Sequence, residues 1–334
     1  MKVVLIGHGS IGTKYKNELL QKRNLPKKDL IVIEKSKITR QNLSAEGISN
    51  FENIQELKLT NQDIHYGIVA NWGPEHIQGA LELLDLGVRR MIIEKPVSNS
   101  VRDLDLLIEK CNDKNVFVSV HHRWKYLDLG SKILKIQNEL NFGEPIGMRL
   151  IGGALCLSTG AIHWLDLACE ILDADPMSVI ADLDIDYINP RDDGLAYIGG
   201  SASYRMKNKK FVHISYTNLN SQAPRTELVY KHGIIEIDVK GILKCYQRSK
   251  SDLEKFRNKV TRYGFFNHLK DFEFDNVDTV NLVLDNLFLG KLPKVSLQRS
   301  RKSLLMIISA LQSHLEGRRI ECSMMINDQN IRFS

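Results

Sequence analysis

Residues 2–12 read Lys2-Val3-Val4-Leu5-Ile6-Gly7-His8-Gly9-Ser10-Ile11-Gly12. A β-branched apolar run ends in glycines spaced G-x-G-x-x-G, and Ile11 to Gln21 has helical spacing. A strand that passes into a helix through such glycines is the setting of a dinucleotide-binding turn. Each glycine has its own task. Gly7 allows the tight turn, Gly9 lets the backbone approach a pyrophosphate, and Gly12 permits close helix–strand packing. The helix start offers unpaired N–H groups and a partial positive charge to phosphate oxygens, so His8, Ser10 and Ile11 join the glycines as expected cofactor contacts.

Outward from this turn, short apolar runs alternate with helical patterns. Leu30 to Ile33 is a second run, Ile64 to Ala70 another, Arg90 to Ile93 a fourth, and Val116 to Val120 closes the series. Glu75 to Leu86 and Val101 to Cys111 have helical spacing between them. Continuous apolar strands separated by helices mean a parallel sheet covered on both faces. Glu34 ends the second run, 22 residues beyond Gly12. A carboxylate there accepts hydrogen bonds from the ribose hydroxyls of NAD and repels a 2′-phosphate, which favours NAD. Lys35, Lys37 and Arg40 stand beside it and keep NADP open.

The pattern changes after Trp124. Tyr126 to Leu140 reads as a helix, Gly147 to Leu155 as a strand, and Gly160 to Leu172 as a helix with an apolar stripe. Met177 to Gln247 is mostly strands, with a polar turn at Arg205 to Lys210 and a hairpin punctuated by His232-Gly233. Arg248 to Asn267 is charged and reads as a helix or a mobile segment. Asp278 to Leu289 and Arg301 to Glu316 look helical, with Gly317 as the cap of the second. The expected fold is α/β. An N-terminal Rossmann doubly wound parallel sheet fills residues 1–124, and residues 125–334 form an α+β domain with an open, largely antiparallel sheet. One face of that sheet packs on helices; the other meets a second subunit.

Composition bounds the remaining classes. The chain has 334 residues, 43% apolar and 26% charged, with a formal net charge of +6. No apolar run reaches the roughly 18 residues of a membrane helix, and the opening run is too short for a signal peptide, so a cytoplasmic protein without a membrane partner is expected. Cys111, Cys156, Cys169, Cys245 and Cys322 are scattered and odd in number, which fits free thiols and no metal. Basic clusters at Arg205 to Lys210, Arg248 to Arg262 and Arg299 to Lys302 read as solvated surface or as attraction for an anionic substrate. No nucleic-acid module accompanies them.

A chemical site is expected at Glu94-Lys95-Pro96, directly after the run Arg90 to Ile93. Carboxyl ends of strands in such sheets face the ligand crevice, and Pro96 biases Lys95 away from helical geometry. A lysine there can stabilise a developing oxyanion or shuttle a proton; alone, the tripeptide reads as a surface salt bridge. Two further segments accompany it: Asn71-Trp72-Gly73-Pro74-Glu75-His76 and Gly160-Ala161-Ile162-His163-Trp164-Leu165-Asp166.

With these motifs in this order, the chain resembles the Gfo/Idh/MocA oxidoreductases. The glycine turn, the Asn71 to His76 segment, Glu94-Lys95-Pro96 and His163-x-x-Asp166 occupy the family's order, and Ala310 to Ile320 is similar to its last helix. The resemblance implies hydride exchange between NAD(P) and a secondary alcohol or ketone of a sugar, sugar phosphate or nucleotide sugar. It implies Lys95 and His163 as catalytic residues, His163 as general base. Asp166, Arg123, Thr159 and His122 are then expected at the substrate, and Asn71, His76, Glu94, Lys95, Glu34 and Lys35 beside the cofactor. His121 and His122 are adjacent, so at most one can enter the pocket. Family members commonly form homodimers or homotetramers. Thr159 stands where polyol-oxidising members often carry an aspartate, and Val120 and His121 replace a family tyrosine or asparagine. That departure keeps two alternatives open: a non-catalytic NAD(P)-binding sensor, and a reductase of a C=N or C=C bond.

Overall fold

The computed structural model describes all residues except 61, 154, 187, 188, 190–193, 257–263, 323–330 and 334. The opening run becomes β1 (Val3–Ile6), buried along its whole length. It sits within a six-stranded sheet with β2 (Leu30–Ile33), β3 (Ser49–Phe51), β4 (Tyr66–Val69), β5 (Arg90–Ile93) and β6 (Phe117–Val120). The order is β3-β2-β1-β4-β5-β6, and every pairing is parallel. The crossovers carry α1 (Ser10–Asn17), α2 (Lys37–Ala45), α3 (Ile54–Lys58), α4 (His76–Asp85) and α5 (Val101–Asp113). α5 shows why these segments are helices. Val101, Leu104, Leu107 and Cys111 form its buried stripe, and the Ser100 hydroxyl caps it by accepting the Asp103 N–H at 3.0 Å. A short helix, α6 (Arg123–Tyr126), follows β6. Strand order reverses between β1 and β4, and ligands of such sheets bind beyond the carboxyl ends of the strands at that point.

Two glycines are demanded by the turn after β1. Gly7 has φ +89°, and a Cβ on it would lie 2.4 Å from the Asn71 Cα. A Cβ on Gly12 would lie 2.2 Å from the Gly7 carbonyl oxygen. Helix start, strand end and the segment after β4 therefore touch only because side chains are missing. Gly9 differs: a Cβ there meets nothing within 4 Å.

The second part of the chain opens with α7 (Leu129–Glu139), β7 (Pro145–Gly153) and α8 (Ile162–Leu172). Then come β8 (Pro176–Asp182), the two-stranded ribbon β9 (Ile185–Asp186) with β10 (Tyr197–Ile198), β11 (Gly200–Met206), β12 (Phe211–Thr217), β13 (Arg225–Tyr230), β14 (Gly233–Asp238) and β15 (Ile242–Arg248). α9 (Lys250–Phe256) and β16 (Phe266–Glu273) complete the run. The large sheet reads β16-β15-β14-β13-β7-β12-β11-β8, all antiparallel except β7 with β12. Strict alternation of burial along β12, β13 and β14 covers one face, on which Met148, Leu150, Ile214, Leu228 and Ile235 are buried. α8 packs on α7 and on β7, and Gly130 of α7 leaves space for Glu170 of α8.

Several expected elements stand with shifted edges. The helix expected from Tyr126 begins at Leu129, and the one expected from Gly160 begins at Ile162 after a wide turn. The hairpin loop is Lys231-His232, one residue earlier than the His232-Gly233 reading. The charged segment from Arg248 holds α9 and the start of β16, while its residues 257–263 lie outside the described residues.

The remaining elements are α10 (Val280–Phe288), α11 (Leu297–Glu316) and β17 (Ile320–Glu321), a ninth strand pairing with β8. Contacts divide the chain into one unit of Met1–Tyr126, Asp278–Leu304 and Asn330–Ser334, and another of Leu127–Val277 and Leu305–Gln329. The single cut expected near Trp124 assigned α10 to the second domain, whereas the chain returns to the first sheet. Burial explains the return. Val283, Leu284 and Leu287 are buried, the Ser119 hydroxyl donates to Asn286 Oδ1 at 3.0 Å, the Val120 N–H reaches the Val295 carbonyl at 2.9 Å, and Phe288 meets Tyr66 edge-on. Phe333 is also fully buried in this unit, its backbone bonded reciprocally to the Asn99 amide.

Gly12→Ala forces a methyl into the Gly7 carbonyl and is expected to cost about 1–3 kcal/mol, as overpacking does. Gly9→Ala, pointing into open space, is expected to stay within about 0.5 kcal/mol. Urea midpoints of the two variants check this; equal midpoints would show that the close approach at Gly12 carries no energy.

Candidate functional site

The glycine turn and Glu34 form one structure. The His8 N–H donates to Glu34 Oε2 at 2.8 Å, and the Ser36 N–H donates to Oε1 at 2.8 Å. A carboxylate has about four acceptor positions, so capacity remains for ribose hydroxyls. Arg40 donates to the Glu34 and Lys35 carbonyls at 2.8 and 2.7 Å and to Glu52 at 2.7 Å. Lys35 is exposed and paired with Glu75 at 2.5 Å. The guanidinium that could greet a 2′-phosphate is thus committed to backbone carbonyls. Gly9 and Ser10 are exposed at the start of α1, where the first N–H groups of the helix lack partners within it. Burial, then the charge of Lys16, lowers the His8 pKa, so its imidazole is neutral near pH 7. These residues fit a dinucleotide: the open space at Gly9 and the half-used Glu34 carboxylate are what a pyrophosphate and a ribose require.

The end of β4 carries Asn71 and His76. His76 is buried, and burial lowers its pKa. Its Nδ1 lies 2.8 Å from the Pro96 carbonyl and its Nε2 3.2 Å from the Asn71 carbonyl. A neutral ring has one N–H, and the shorter contact takes it. His76 therefore braces the Glu94-Lys95-Pro96 segment from below. The Asn71 amide donates to Glu75 at 3.4 Å, and its oxygen is buried with no hydrogen-bond partner.

Glu94, expected beside the cofactor, points inward instead. Its Oε1 lies 2.6 Å from His121 Nδ1 and accepts the Tyr15 hydroxyl at 2.9 Å. Burial on its own would raise this carboxyl, but His121, Lys95 and the Tyr15 hydroxyl together bring it down to about 2. Tyr15 moves the other way, pushed well up by burial and by the Glu94 charge. Lys95 is half-buried, the only residue from Met91 to Ser98 that is not buried. Between it and Pro96 the peptide is cis.

The other expected residues fall as follows. Arg123, in α6, is half-buried with its guanidinium 5.6 Å from the Trp124 ring, and burial lowers its pKa. His122 is fully buried in the first unit, its Nε2 3.0 Å from the Ser300 hydroxyl, so it belongs to packing rather than to an open surface. His121 is buried as well. In the second unit, a wide turn from Leu157 to Ala161 leads into α8; the Ala161 N–H reaches back to the Cys156 carbonyl at 3.3 Å. Thr159 on this turn and His163 on the first turn of α8 are half-buried. Asp166 is buried one turn further along, on the same side as His163. Sequence reasoning missed Tyr15, Thr279 and the partnership of His121. Tyr15 lies on α1, His121 just beyond β6 and Thr279 just before α10, and no local pattern of the sequence joins them. The five cysteines are free. No helix of the described residues is long and apolar enough to cross a membrane.

A parallel sheet in this order, with a glycine turn, a carboxylate ending β2 and a helix start open to solvent, defines a dinucleotide-binding protein. Residues 1–122 match the family model of Gfo/Idh/MocA, the NAD-binding Rossmann fold of an oxidoreductase family. The resemblance drawn from the ordered motifs and the expectation of NAD are borne out by that match. No curated protein matches the chain by sequence. Solved structures share the fold over nearly the whole chain. An NAD-binding protein from Listeria innocua is 16% identical, with TM-score 0.75 and 97% of each chain covered. A UDP-N-acetylglucosamine 3-dehydrogenase from Acidithiobacillus ferrooxidans is 16% identical, with TM-score 0.70 over 94% of this chain and 96% of its own. A levoglucosan dehydrogenase, solved with NADH and L-sorbose, is 14% identical, with TM-score 0.73 over 97% and 99%.

The Glu94 charge links folding to pH. Its carboxyl is held below its ordinary 4.5, so the stability it lends is present above that value and is lost as pH falls towards about 2. The loss amounts to about 3 kcal/mol in all. Between pH 5 and pH 3 the melting temperature of the wild type is expected to fall more steeply than that of Glu94→Gln. Parallel slopes in scanning calorimetry would contradict the ionised, paired carboxylate.

Proposed function

We propose that this protein is an NAD-dependent dehydrogenase that exchanges hydride with a secondary alcohol or ketone of a sugar-like molecule. The observation that carries the reading is the placement of Lys95. It follows β5 at the carboxyl end of the sheet, emerges from a buried segment, and is anchored on one side by Glu94 and on the other by the Pro96 carbonyl. The UDP-N-acetylglucosamine 3-dehydrogenase and the levoglucosan dehydrogenase of the same fold support the substrate class.

The nicotinamide ring supplies the hydride acceptor or donor when bound. In this reading the N–H groups from Gly9 to Gly12 hold the pyrophosphate and Glu34 takes the ribose. Lys95 stabilises alkoxide character on the reacting oxygen, and a fixed ammonium there needs no reorganisation as charge develops. His163 accepts the hydroxyl proton, Asp166 orients it, and Thr159 and Arg123 bind the substrate. His122 and Glu94 serve as packing and support rather than as ligands. Arg40, committed elsewhere, and Glu34 favour NAD over NADP. The basic clusters favour a phosphorylated substrate. The same reading assigns a second copy of the chain to the outer face of the large sheet, where Ile151, Met177 and Ile180 are exposed.

A cofactor-binding sensor is the second reading. Thr159, half-buried on the turn before α8, favours it, since a hydroxyl supplies no charge to partner the lysine. A screen of sugars, keto sugars, nucleotide sugars, imines and activated alkenes for NADH formation or consumption separates these two from the third class, a reductase of a C=N or C=C bond. NADH binding without turnover across the panel selects the sensor, and turnover only of an imine or an alkene selects the third class.

Lys95→Ala is expected to lower kcat by about 100- to 1,000-fold, the usual loss for one transition-state donor, with the NADH dissociation constant within about threefold. Full turnover in that variant would remove Lys95 from the chemistry. NADH is expected to bind at least about tenfold more tightly than NADPH, and Glu34→Gln to shrink the gap by about 1.4 kcal/mol. A preference for NADPH in fluorescence titrations would contradict the Glu34 assignment.

A further inference from the structure

We propose that His121 is a positioning residue for Lys95, acting through the Glu94 carboxylate; this rests on Lys95 being the reactive amine of the reading above. His121 follows β6, and both ring nitrogens are engaged. Nδ1 lies 2.6 Å from Glu94 Oε1, and Nε2 lies 2.8 Å from the Thr279 hydroxyl in the turn before α10. The Tyr15 hydroxyl, from α1, donates to the same Oε1 at 2.9 Å and stands 3.0 Å from Nδ1. The Tyr126 ring of α6 meets the imidazole edge-on at 5.9 Å. Glu94, His121, Tyr15 and Thr279 are all buried. Two segments distant in sequence thus close on one carboxylate directly before Lys95, and a third, at Thr279, holds the far nitrogen of the imidazole. The charged groups that bear on this cluster are Lys95 and Asp278, whose own carboxylate takes Lys14 at 3.0 Å.

A buried carboxylate is costly without a partner that satisfies it. With His121 replaced by an apolar ring, the Glu94 carboxylate keeps, among the described residues, the Tyr15 hydroxyl as its side-chain hydrogen-bond donor. It must then take up a proton or turn towards the next available cation, and Lys95 is its immediate neighbour in the chain. Either response changes the surroundings of the lysine ammonium. The opposite anchor, His76 on the Pro96 carbonyl, stays in place, so the damage is local to the Glu94 side. Reactive groups tolerate little displacement: an error of about 1 Å can cost about 100-fold in rate.

The test compares His121→Phe, His121→Asn and Tyr15→Phe in the full chain. The acylation rate of Lys95 by acetic anhydride, read by peptide mass spectrometry, reports on the amine without any substrate. NADH affinity, KM and kcat complete the set. His121→Phe is expected to change Lys95 acylation by about threefold or more and to lower kcat by about tenfold or more, with KM and NADH affinity within about twofold. His121→Asn is expected to restore acylation and kcat to within about threefold of wild type, because its amide nitrogen takes the place of Nδ1. Should His121→Phe fail to fold, Tyr15→Phe carries the test with a smaller change of acylation in the same direction. Wild-type acylation in both His121→Phe and Tyr15→Phe overturns the proposal. So does an asparagine variant no better than phenylalanine when both lose the same melting temperature, the mark of a merely structural histidine. If no sugar is turned over even by the wild type, the dehydrogenase reading falls on its own, and the acylation comparison still decides the role of His121.

Discussion

The carboxyl end of β1 and the backbone of Asn71 pass so close that position 7 cannot hold a side chain: a Cβ there would stand 2.4 Å from the Asn71 Cα. The left-handed φ of Gly7 turns the chain at that point, and the missing side chain of Gly12 lets α1 begin directly against the Gly7 carbonyl. From this contact the rest of the first unit follows. The carboxyl ends of β1, β2, β4 and β5 lie side by side in the sheet, and the residues just beyond them, His8, Glu34, Asn71 and Glu94, are brought to one rim. A helix start with unbonded N–H groups opens beside that rim, which is where an anionic ligand gains most from the backbone.

Charge at this rim is divided between two carboxylates in opposite roles. Glu34 is partly exposed, receives two backbone N–H groups and keeps acceptor capacity for a ligand. Glu94 is buried, paired with His121 and Tyr15, and held far below its ordinary pKa. The first is the proposed recognition group. The second lies directly before Lys95 in the chain. Identical chemistry serves both ends because solvent access differs, and with it the cost of leaving a lone pair unmet.

The glycine turn, Glu34 and the order of the strands were legible because their signals are local: spacing of glycines, apolar runs and the residue ending each run. Edges were less legible, since the helices α7 and α8 begin two or three residues later than their apolar stripes suggest. β3 is three residues long and barely apolar, and β16 (Phe266–Glu273) is mostly exposed, so neither has the alternation that marks a half-buried strand. The return of α10 to the first sheet rests on Asn286, Phe288 and Val295 meeting Ser119, Tyr66 and Val120, partners more than 160 residues away in the chain. The cluster around Glu94 was hidden for the same reason. Tyr15, His121 and Thr279 each read as ordinary polar residues, and only folding shows that the first two share one carboxylate while Thr279 holds the other nitrogen of the imidazole.

The central claim is that the rim of the first unit binds a dinucleotide with its reactive ring at Lys95. A crystal structure of the protein with NADH tests it most directly. The account predicts pyrophosphate oxygens within hydrogen-bond distance, about 2.7–3.2 Å, of N–H groups between Gly9 and Gly12, a ribose on Glu34, and the nicotinamide edge beside Lys95. NADH seated elsewhere on the chain, or a glycine turn that stays empty at saturating NADH, would contradict it.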